Sequence, residues 1–242
     1  KESSAASDVY KRQILCIDTS LGASVALWDS EAKTPVLASR SSQDSRSHAE
    51  HLSELVNAVV QEACGCVLAK ADIEAVAVGR GPAPFTGLRS GLVTARTIGY
   101  ALGVPVIGIS SLDALARAVL DLVPPTQEVF VATDARRKEV YCAQYRADGP
   151  DDVCCLWGPE VGRPATFTNR AAKPGLIVAG AGAALYPQDL AVNPGLPTEI
   201  EAAVLGRIAQ VRLAGKSADQ LLDTVSPLYL RRPDVQPPSK GK

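Results

Sequence analysis

The sequence predicts an α/β protein built from two related halves. Strand-like and helix-like segments alternate along the chain, and several strands are short, nearly all-apolar runs typical of buried parallel strands. Each half also opens with a strand that ends in an aspartate, Asp18 in the first and Asp134 in the second. This pattern favours layers with a largely parallel sheet. The likeness between the halves is architectural only, because no residue-level repeat is visible.

Apolar periodicity and turn residues define the elements of the first half. Ser47 and Glu50 form a capping box ahead of apolar residues at helical spacing, and Gly65 ends that helix. A loop rich in glycine and proline separates a buried strand from a second helix. The predicted strands are 14–20, 23–29, 34–42, 73–79 and 104–110, and the predicted helices are 47–64, 86–102 and 112–123.

The second half starts after Pro124 and Pro125, which interrupt the pattern of helices and strands. It contains a strand pair, two further strands, and a helix with apolar residues on one face. The predicted strands are 128–135, 139–147, 152–157 and 175–180, and the predicted helix is 199–213. The basic, proline-containing residues 229–242 predict an extended tail.

Composition excludes several classes of protein. The 25 Lys and Arg residues balance 26 Asp and Glu residues, so any RNA contact must be local or shared. No window approaches the roughly 18 apolar residues of a membrane span, which predicts a soluble protein with no membrane partner. Six cysteines without a C-x-x-C pair favour free thiols in a reducing cytoplasm.

We assign residues 1–13 to a disordered or artefactual leader outside the fold.

Residues 78–91, VGRGPAPFTGLRSG, cover a loop and the beginning of the helix that follows it. This stretch raises the question of whether the loop binds a phosphate. The stretch lacks the G-K-[ST] of a phosphate loop, and Pro82 and Pro84 remove two backbone donors. A helix N-terminus can still attract an anion, so nucleotide phosphate stays an alternative here.

Small residues recur every four positions on the helix that follows the loop. Gly87, Gly91, Ala95, Gly99 and Gly103 form a ridge, although glycine inside a helix costs about 0.5 to 1 kcal/mol relative to alanine. A ridge without bulky side chains lets another backbone approach closely. Two interpretations stay open: the ridge packs on the protein's own sheet, or it docks a partner helix beside the helix over 47–64.

These segments resemble the diagnostic motifs of the TsaB (YeaZ) family. Residues 79–116 contain the FTGLR core and residues 133–145 contain D-A-R-x-x-E-V-Y. Residues 14–27 match the opening hairpin of the family, residues 227–235 match its closing Y-x-R motif, and His48 with Glu54 and Leu55 matches loosely its H-x-E-x-L region. Ala83-Pro84 and Ser90 depart from the family pattern, which puts details of partner contact in doubt.

The resemblance implies an actin-like, Hsp70-like ATPase fold of two related α/β halves with mixed sheets. It places an N-terminal domain at 14–111 and a C-terminal domain with an extended tail at 112–242. The implied role is a cytoplasmic, non-catalytic scaffold or activator beside a catalytic paralogue, TsaD, and an ATPase, TsaE. That complex moves a threonylcarbamoyl group from threonylcarbamoyl-AMP to adenosine 37 of tRNAs that read codons beginning with A.

The resemblance also implies that two N-terminal helices pair with the helices of TsaD or of a second copy of this chain. Together with the small-residue ridge, it predicts a partner interface on the two helices of the first half. The predicted interface residues are Leu52, Leu55, Val59, Phe85, Gly87, Arg89, Gly91, Ala95 and Gly99.

The alternative is a self-sufficient actin-fold transferase or kinase that uses a nucleotide. Asp18, Thr19 and Ser20 lie where such enzymes hold phosphate and Mg²⁺. We expect no firmly bound cofactor, only weak ATP or ADP with Mg²⁺ at a degenerate site or a shared interface. Residues 178–186 are the nearest candidate for an adenosine pocket.

Other catalytic classes have weaker support. His48 and His51 share one helical turn, but a complete metal site would need distant carboxylates, so no metal site or catalytic residue is predicted. A peptidase is disfavoured because neither H-E-x-x-H nor G-x-S-x-G occurs. Arg136, Arg137 and Lys138 form a basic cluster that is either a solvated hairpin edge or a tRNA contact.

Overall fold

The computed structural model describes residues 13–42, 48–214, 217, 220–221 and 223–231. The strands within these ranges are β1 (Gln13–Asp18), β2 (Ala23–Asp29), β3 (Val36–Ser42), β4 (Ile73–Gly79), β5 (Val106–Ile109), β6 (Glu128–Asp134), β7 (Val140–Asp148), β8 (Asp152–Gly162) and β9 (Ile177–Ala179). The helices are α1 (His48–Cys64), α2 (Phe85–Leu102), α3 (Ser111–Leu120), α4 (Pro164–Ala171), α5 (Ala181–Leu185) and α6 (Ala202–Leu213), with 3₁₀ turns at Leu68–Lys70 and Asp223–Val225.

Two mixed sheets repeat one strand order. The first sheet runs β3-β2-β1-β4-β5 and the second runs β8-β7-β6-β9. In both, the first three strands are antiparallel and the fourth joins in parallel. The α/β fold of two related halves with mixed sheets is confirmed. The expectation of a largely parallel sheet is wrong, because each half opens with antiparallel hairpin strands.

Helices and sheets stack in five layers, and the alternation of side chains along the first strands explains the order. In β1, Ile14 and Cys16 face a core shared with α3 and α6, whereas Leu15 and Ile17 face a second core under α1 and α2. In β6, Val131 faces the shared core, and neighbouring residues face α4 and α5. Thus α3 and α6 lie between the sheets, and the other four helices cover the outer faces.

The sequence did not predict α4 and α5, the short helices over the second sheet. In α5 the glycines allow close approach, since a Cβ at Gly182 would lie 2.6 Å from the Thr133 carbonyl carbon. At Gly180, with φ 100°, a Cβ would lie 2.3 Å from Ala132 O. The glycines in the stretch considered for adenosine therefore serve direct packing on β6.

The C-terminal part of the chain returns to the first sheet. Helix α6 contacts β1 and β2, where the Ala202 amide donates to Ser24 Oγ at 3.0 Å. Further on, the Gly108 amide of β5 donates to Thr224 Oγ1 at 2.8 Å, and the Leu228 amide donates to Arg80 O at 2.8 Å. The division of domains at residue 111 stays a prediction, and these contacts cross it.

Some predicted features fall outside the described ranges. Residues 1–12 of the predicted leader, the Ser47 cap and residues 232–242 of the predicted tail lie there. Gln13 was wrongly placed in the leader, since it is the first residue of β1 and pairs with Asp29 of β2. Among the helices described, none has the length and apolar character needed to cross a membrane.

Candidate functional site

The small-residue ridge of α2 faces the interior of the protein. A Cβ at Gly91 would lie 2.3 Å from Thr19 Oγ1, and one at Gly99 would lie 2.3 Å from Val106 Cγ2 of β5. Gly87 and Ala95 are also buried. The prediction that this ridge is open to a partner helix is therefore wrong. The chain's own turn after β1 and its strand β5 already occupy the space that the missing side chains leave.

Two of the other five predicted interface residues also lie inside the chain. Leu52 and Val59 of α1 are fully buried in the core under the first sheet, which corrects their assignment to a partner surface. Leu55 and Phe85 are half-buried, and Arg89 is exposed. The helical periodicity had correctly identified an apolar face, but that face packs on the sheet.

The outward faces of α1 and α2 carry a different set of residues. Tyr100 is 92% exposed and Val93 is 63% exposed, one on each side of Thr97 along α2. Between α1 and α2 lies a groove of about 300 Å³. Its lining residues are Ser53, Val56, Asn57, Leu68, Val93, Thr94, Thr97 and Ile98. We call Ser53, Asn57, Val93, Thr97 and Tyr100 the helix-pair face.

Phe85 and Arg89 of the FTGLR core hold the C-terminal segment. The rings of Phe85 and Tyr229 stack with centroids 4.1 Å apart and planes 2° from parallel. Arg89 Nε donates to Tyr229 Oη at 2.9 Å, and its guanidinium carbon lies 4.6 Å from the centre of the Phe85 ring. Phe85 and Arg89 belong to one sequence motif and Tyr229 belongs to another. Nothing in the spacing of the two motifs predicts that these residues touch.

Asp18 is buried at the end of β1, and its carboxylate is enclosed by hydroxyls. The Ser20 amide donates to Oδ1 at 2.8 Å and the Ser20 hydroxyl also donates to Oδ1, while Ser111 Oγ donates to Oδ2 at 2.6 Å. Burial raises the pKa of Asp18, although these hydrogen bonds act in the opposite direction. A Cβ at Gly79 would collide with the carboxylate, so the strand β4 also seals this side.

The surroundings of Asp18 leave little room for a ligand. The cavity that it lines measures about 20 Å³, which matches about one water molecule. Thr19 and Ser20 are buried beside it, and Thr19 Oγ1 has no hydrogen-bond partner among the described residues. Nucleotide binding at Asp18, Thr19 and Ser20 stays a prediction that would require this turn to open.

A wider cleft lies at the equivalent turn of the second half, between β6 and β7. Arg136, Arg137 and Lys138 follow one another there with φ of 60°, 56° and 60°. The Arg136 amide donates to Asp134 Oδ1 at 2.8 Å, which fixes the start of the turn. The cleft measures about 280 Å³ and is lined by Ala83, Pro84, Phe85, Ala135, Arg136, Arg137, Tyr141, Tyr229, Leu230 and Arg231.

No metal centre is evident in the described part of the chain, where no three His, Cys, Asp or Glu residues cluster suitably. His51 Nδ1 lies 3.3 Å from Glu54 Oε2 on the exposed side of α1, and the His48 side chain lies outside the described residues. All six cysteines are free.

Comparisons with known proteins agree with this architecture. The family model described as "TsaD: tRNA N6-adenosine threonylcarbamoyltransferase" matches residues 36–179, more than half of the chain. An uncharacterized protein of Mycobacterium tuberculosis is 40% identical over 226 residues, which are 93% of this chain and 94% of the relative. The Escherichia coli tRNA threonylcarbamoyladenosine biosynthesis protein TsaB is 35% identical over 137 residues, 56% of each chain.

Solved structures extend the similarity over nearly the whole chain. YeaZ from Pseudomonas aeruginosa superposes with a TM-score of 0.70 and 28% identity, covering 90% of this chain and 100% of YeaZ. With the repeated mixed sheets, these findings define an α/β protein of the actin-like class. Within that class, the chain belongs to the TsaB (YeaZ) family, and its residues 36–179 match the TsaD family model.

Proposed function

We propose that this chain takes part in the biosynthesis of tRNA threonylcarbamoyladenosine, as a non-catalytic scaffold or activator subunit. Family membership supports the pathway, since the E. coli relative carries that activity in its name. The complex would transfer a threonylcarbamoyl group from threonylcarbamoyl-AMP to adenosine 37 of tRNAs that read codons beginning with A. Its partners would be a TsaD-type catalytic paralogue and a TsaE-type ATPase in the cytoplasm, with tRNA bound through the complex.

The observation that carries the scaffold role is the helix-pair face. Large, highly exposed apolar and aromatic side chains that border a groove are typical of protein interfaces, and tyrosine is enriched among the residues that dominate binding energy. Tyr100 and Val93 have this character, and the groove between α1 and α2 lies beside Val93. A TsaD-type partner, or a second copy of the chain in isolation, would place its own helix pair there.

The burial and the hydrogen bonds of Asp18 support a non-catalytic role. A catalytic Mg²⁺ keeps several water ligands and binds carboxylates that solvent can reach. Asp18 is only 2% exposed, and both of its carboxylate oxygens accept hydrogen bonds from serines of the same chain. Weak ATP or ADP binding would then belong to an interface with the partner.

Reconstitution of the modification reaction tests the scaffold role directly. This chain, a TsaD-type protein and a TsaE-type ATPase are combined with tRNA and threonylcarbamoyl-AMP, and each component is left out in turn. We expect modified adenosine only when the TsaD-type protein is present together with this chain. Modification of tRNA by this chain alone would show a self-sufficient transferase instead.

Substitutions on the helix-pair face test its part in assembly. Tyr100→Ser and Val93→Ser should each weaken binding to the TsaD-type protein by about tenfold or more, as central interface residues do. Leu185→Ser is the matched control, since Leu185 is 57% exposed on α5 of the other half. Equal affinities for all three variants, measured by calorimetry, would remove the helix-pair face from the interface.

A further inference from the structure

Two of the six cysteines lie together where α1 ends. Cys64 is the last residue of the helix and Cys66 follows after Gly65, and both cysteines are half-buried. Gly65 has φ 67°, and its amide donates to Gln61 O at 3.0 Å, which closes the last turn of the helix. We call Cys64 and Cys66 the thiol pair. Neither residue belongs to the helix-pair face.

The spacing and the bend of the backbone allow a disulfide within the thiol pair. Two peptide units span at most about 7 Å even when fully extended, and the chain bends at Gly65 and Cys66. The two Cα atoms are therefore close enough for a disulfide, which joins Cα atoms about 4.4 to 6.8 Å apart. The charge of Cys66 also acts on Cys64, in agreement with a close approach of the two sulfur atoms.

The other four cysteines have different surroundings. Cys16 and Cys142 are buried in separate cores. Cys154 and Cys155 are neighbours on β8, where successive side chains point to opposite faces of the sheet, and the Cys155 thiol donates to Trp157 O at 3.4 Å. Among the six cysteines, all of which the structure describes, only the thiol pair combines a bend with partly exposed sulfur atoms.

The thiol pair is connected directly to the groove between α1 and α2. Val67 follows Cys66 and is 60% exposed, and Leu68 lines the groove. A disulfide within the thiol pair closes a small ring through Gly65, so its formation shifts the backbone that leads to Leu68. Oxidation of the thiol pair therefore reaches the edge of the surface on which the proposed partner docks.

The two thiols also differ in reactivity. Burial raises the pKa of the Cys64 thiol, and the charges of Cys66 and Asp29 add to the effect. The Cys64 thiol donates to Gln13 Oε1 at 3.9 Å. Because the thiolate is the nucleophile, Cys64 resists attack on an oxidant at neutral pH, and we assign the first step to Cys66.

We propose that the thiol pair is a reversible redox site, oxidised to a disulfide by a low-molecular-weight disulfide, and that this oxidation weakens partner binding at the groove. The second part rests on the proposed function, whereas the first part stands on this chain alone.

Thiol–disulfide exchange supplies a balanced reaction. The Cys66 thiol gives up its proton, and its thiolate attacks one sulfur of the small disulfide. The new S–S bond joins Cys66 to one half of that molecule, and the other half leaves as a thiolate that takes up the proton. Cys64 then gives up its proton, attacks the Cys66 sulfur and expels the second half as a thiol. Two protein thiols are oxidised to one disulfide, and one small disulfide is reduced to two thiols.

Oxidised glutathione is the probe, applied to the purified full chain without partner proteins. The reduced chain is equilibrated in buffers with rising ratios of oxidised to reduced glutathione, remaining thiols are alkylated, and the chain is digested with trypsin. Both cysteines of the thiol pair fall in one peptide, residues 47–70, because trypsin cleaves after Arg46 and Lys70. Mass spectrometry should show that this peptide loses two hydrogen atoms. A stable glutathione adduct on it, or no change at any ratio, would overturn the proposal.

Serine variants separate the thiol pair from the other cysteines. Cys64→Ser should hold one glutathione on Cys66 and form no bridge. The double variant Cys154→Ser/Cys155→Ser is the matched control, and its peptide 47–70 should still lose two hydrogen atoms. If oxidation leaves that peptide unchanged in the control, the bridge depends on other cysteines and the proposal is wrong.

Affinity for the TsaD-type protein, measured by calorimetry, tests the effect on partner binding. The oxidised chain should bind about fivefold more weakly than the reduced chain, because one groove residue is displaced. The Cys64→Ser/Cys66→Ser variant, treated with the same oxidant, should keep the affinity of the reduced chain. Equal affinities of the oxidised and reduced chains would overturn the effect on binding. No binding by the reduced chain would instead contradict the proposed function, and the disulfide result would stand.

Discussion

Asp18 and Asp134 occupy equivalent places, at the ends of β1 and β6, but their surroundings differ. Asp18 is sealed by Ser20, Ser111 and the backbone of Gly79, and the cavity beside it holds little more than one water. Asp134 instead holds the start of an exposed, strained turn that borders a cleft of about 280 Å³. The same position in a repeated architecture is thus a packed interior in one half and an accessible surface in the other.

The helices that cover the outer faces of the two sheets also differ. The first sheet is covered by α1 and α2, of 17 and 18 residues, whereas the second is covered by α4 and α5, of 8 and 5 residues. The long helices therefore present a longer outward face than the short ones do. Shared strand order therefore sets the framework, while local packing decides what each half can bind.

The largest expected effect comes from filling the space between α2 and the β1–β2 turn. Gly91→Leu should lower the free energy of unfolding by about 3 kcal/mol, because its side chain would overlap Thr19. Thr97→Leu, on the exposed side of the same helix, should change it by less than about 0.5 kcal/mol. Urea unfolding measures both. A stable Gly91→Leu variant would mean that the ridge is open after all.

The second largest effect is expected at the contacts that link α6, which packs on the first sheet, with α3 and the second sheet. Arg212 of α6 donates to Asp113 of α3 at 2.8 Å and to Asp152 of β8 at 2.7 Å. Arg212→Met leaves both carboxylates without this partner and should cost about 2 kcal/mol. Arg146→Met, at an exposed position on β7, is the control in thermal unfolding. Equal melting temperatures for the two variants would show that this link contributes nothing to stability.

The difference in stability between variants with glycine and with alanine at residue 137 measures the backbone strain of the turn between β6 and β7. Because φ is 56° there, Arg137→Gly should be more stable than Arg137→Ala by about 1 kcal/mol. At Arg96, on the exposed side of α2, the order should reverse, because alanine is favoured over glycine in a helix. Chemical denaturation of the four variants decides the matter, and alanine favoured at both positions would contradict a left-handed turn.

The smallest expected effect is on the pH dependence of folding stability that arises from Asp18, at the end of β1. Burial raises the pKa of Asp18, so the folded state binds this proton more tightly than the unfolded chain. Stability should therefore fall as pH rises from the ordinary value of 3.8 through the folded pKa. Asp18→Asn should remove that part of the slope, measured by urea unfolding from about pH 4 to about pH 8. Identical slopes of stability against pH in the unsubstituted chain and in the Asp18→Asn variant would contradict this prediction.

Helix and strand positions were largely predictable because periodicity is a local property. The pattern located β4 correctly, and it placed the start of α2 one residue late. It placed the end of α3 three residues late and missed α4 and α5, which are too short to show a helical pattern. The candidate sites were less predictable. An apolar or small-residue face shows that something packs there, but it does not identify what.

The sequence by itself determined the class of fold, the repeated halves and the family, because these follow from periodicity and from motifs contiguous in the chain. Only the tertiary structure decided which face of α2 is covered, that Tyr229 stacks on Phe85, and that Asp18 is sealed while the turn after Asp134 is open. Those facts depend on contacts between residues far apart in the chain, which local patterns do not specify.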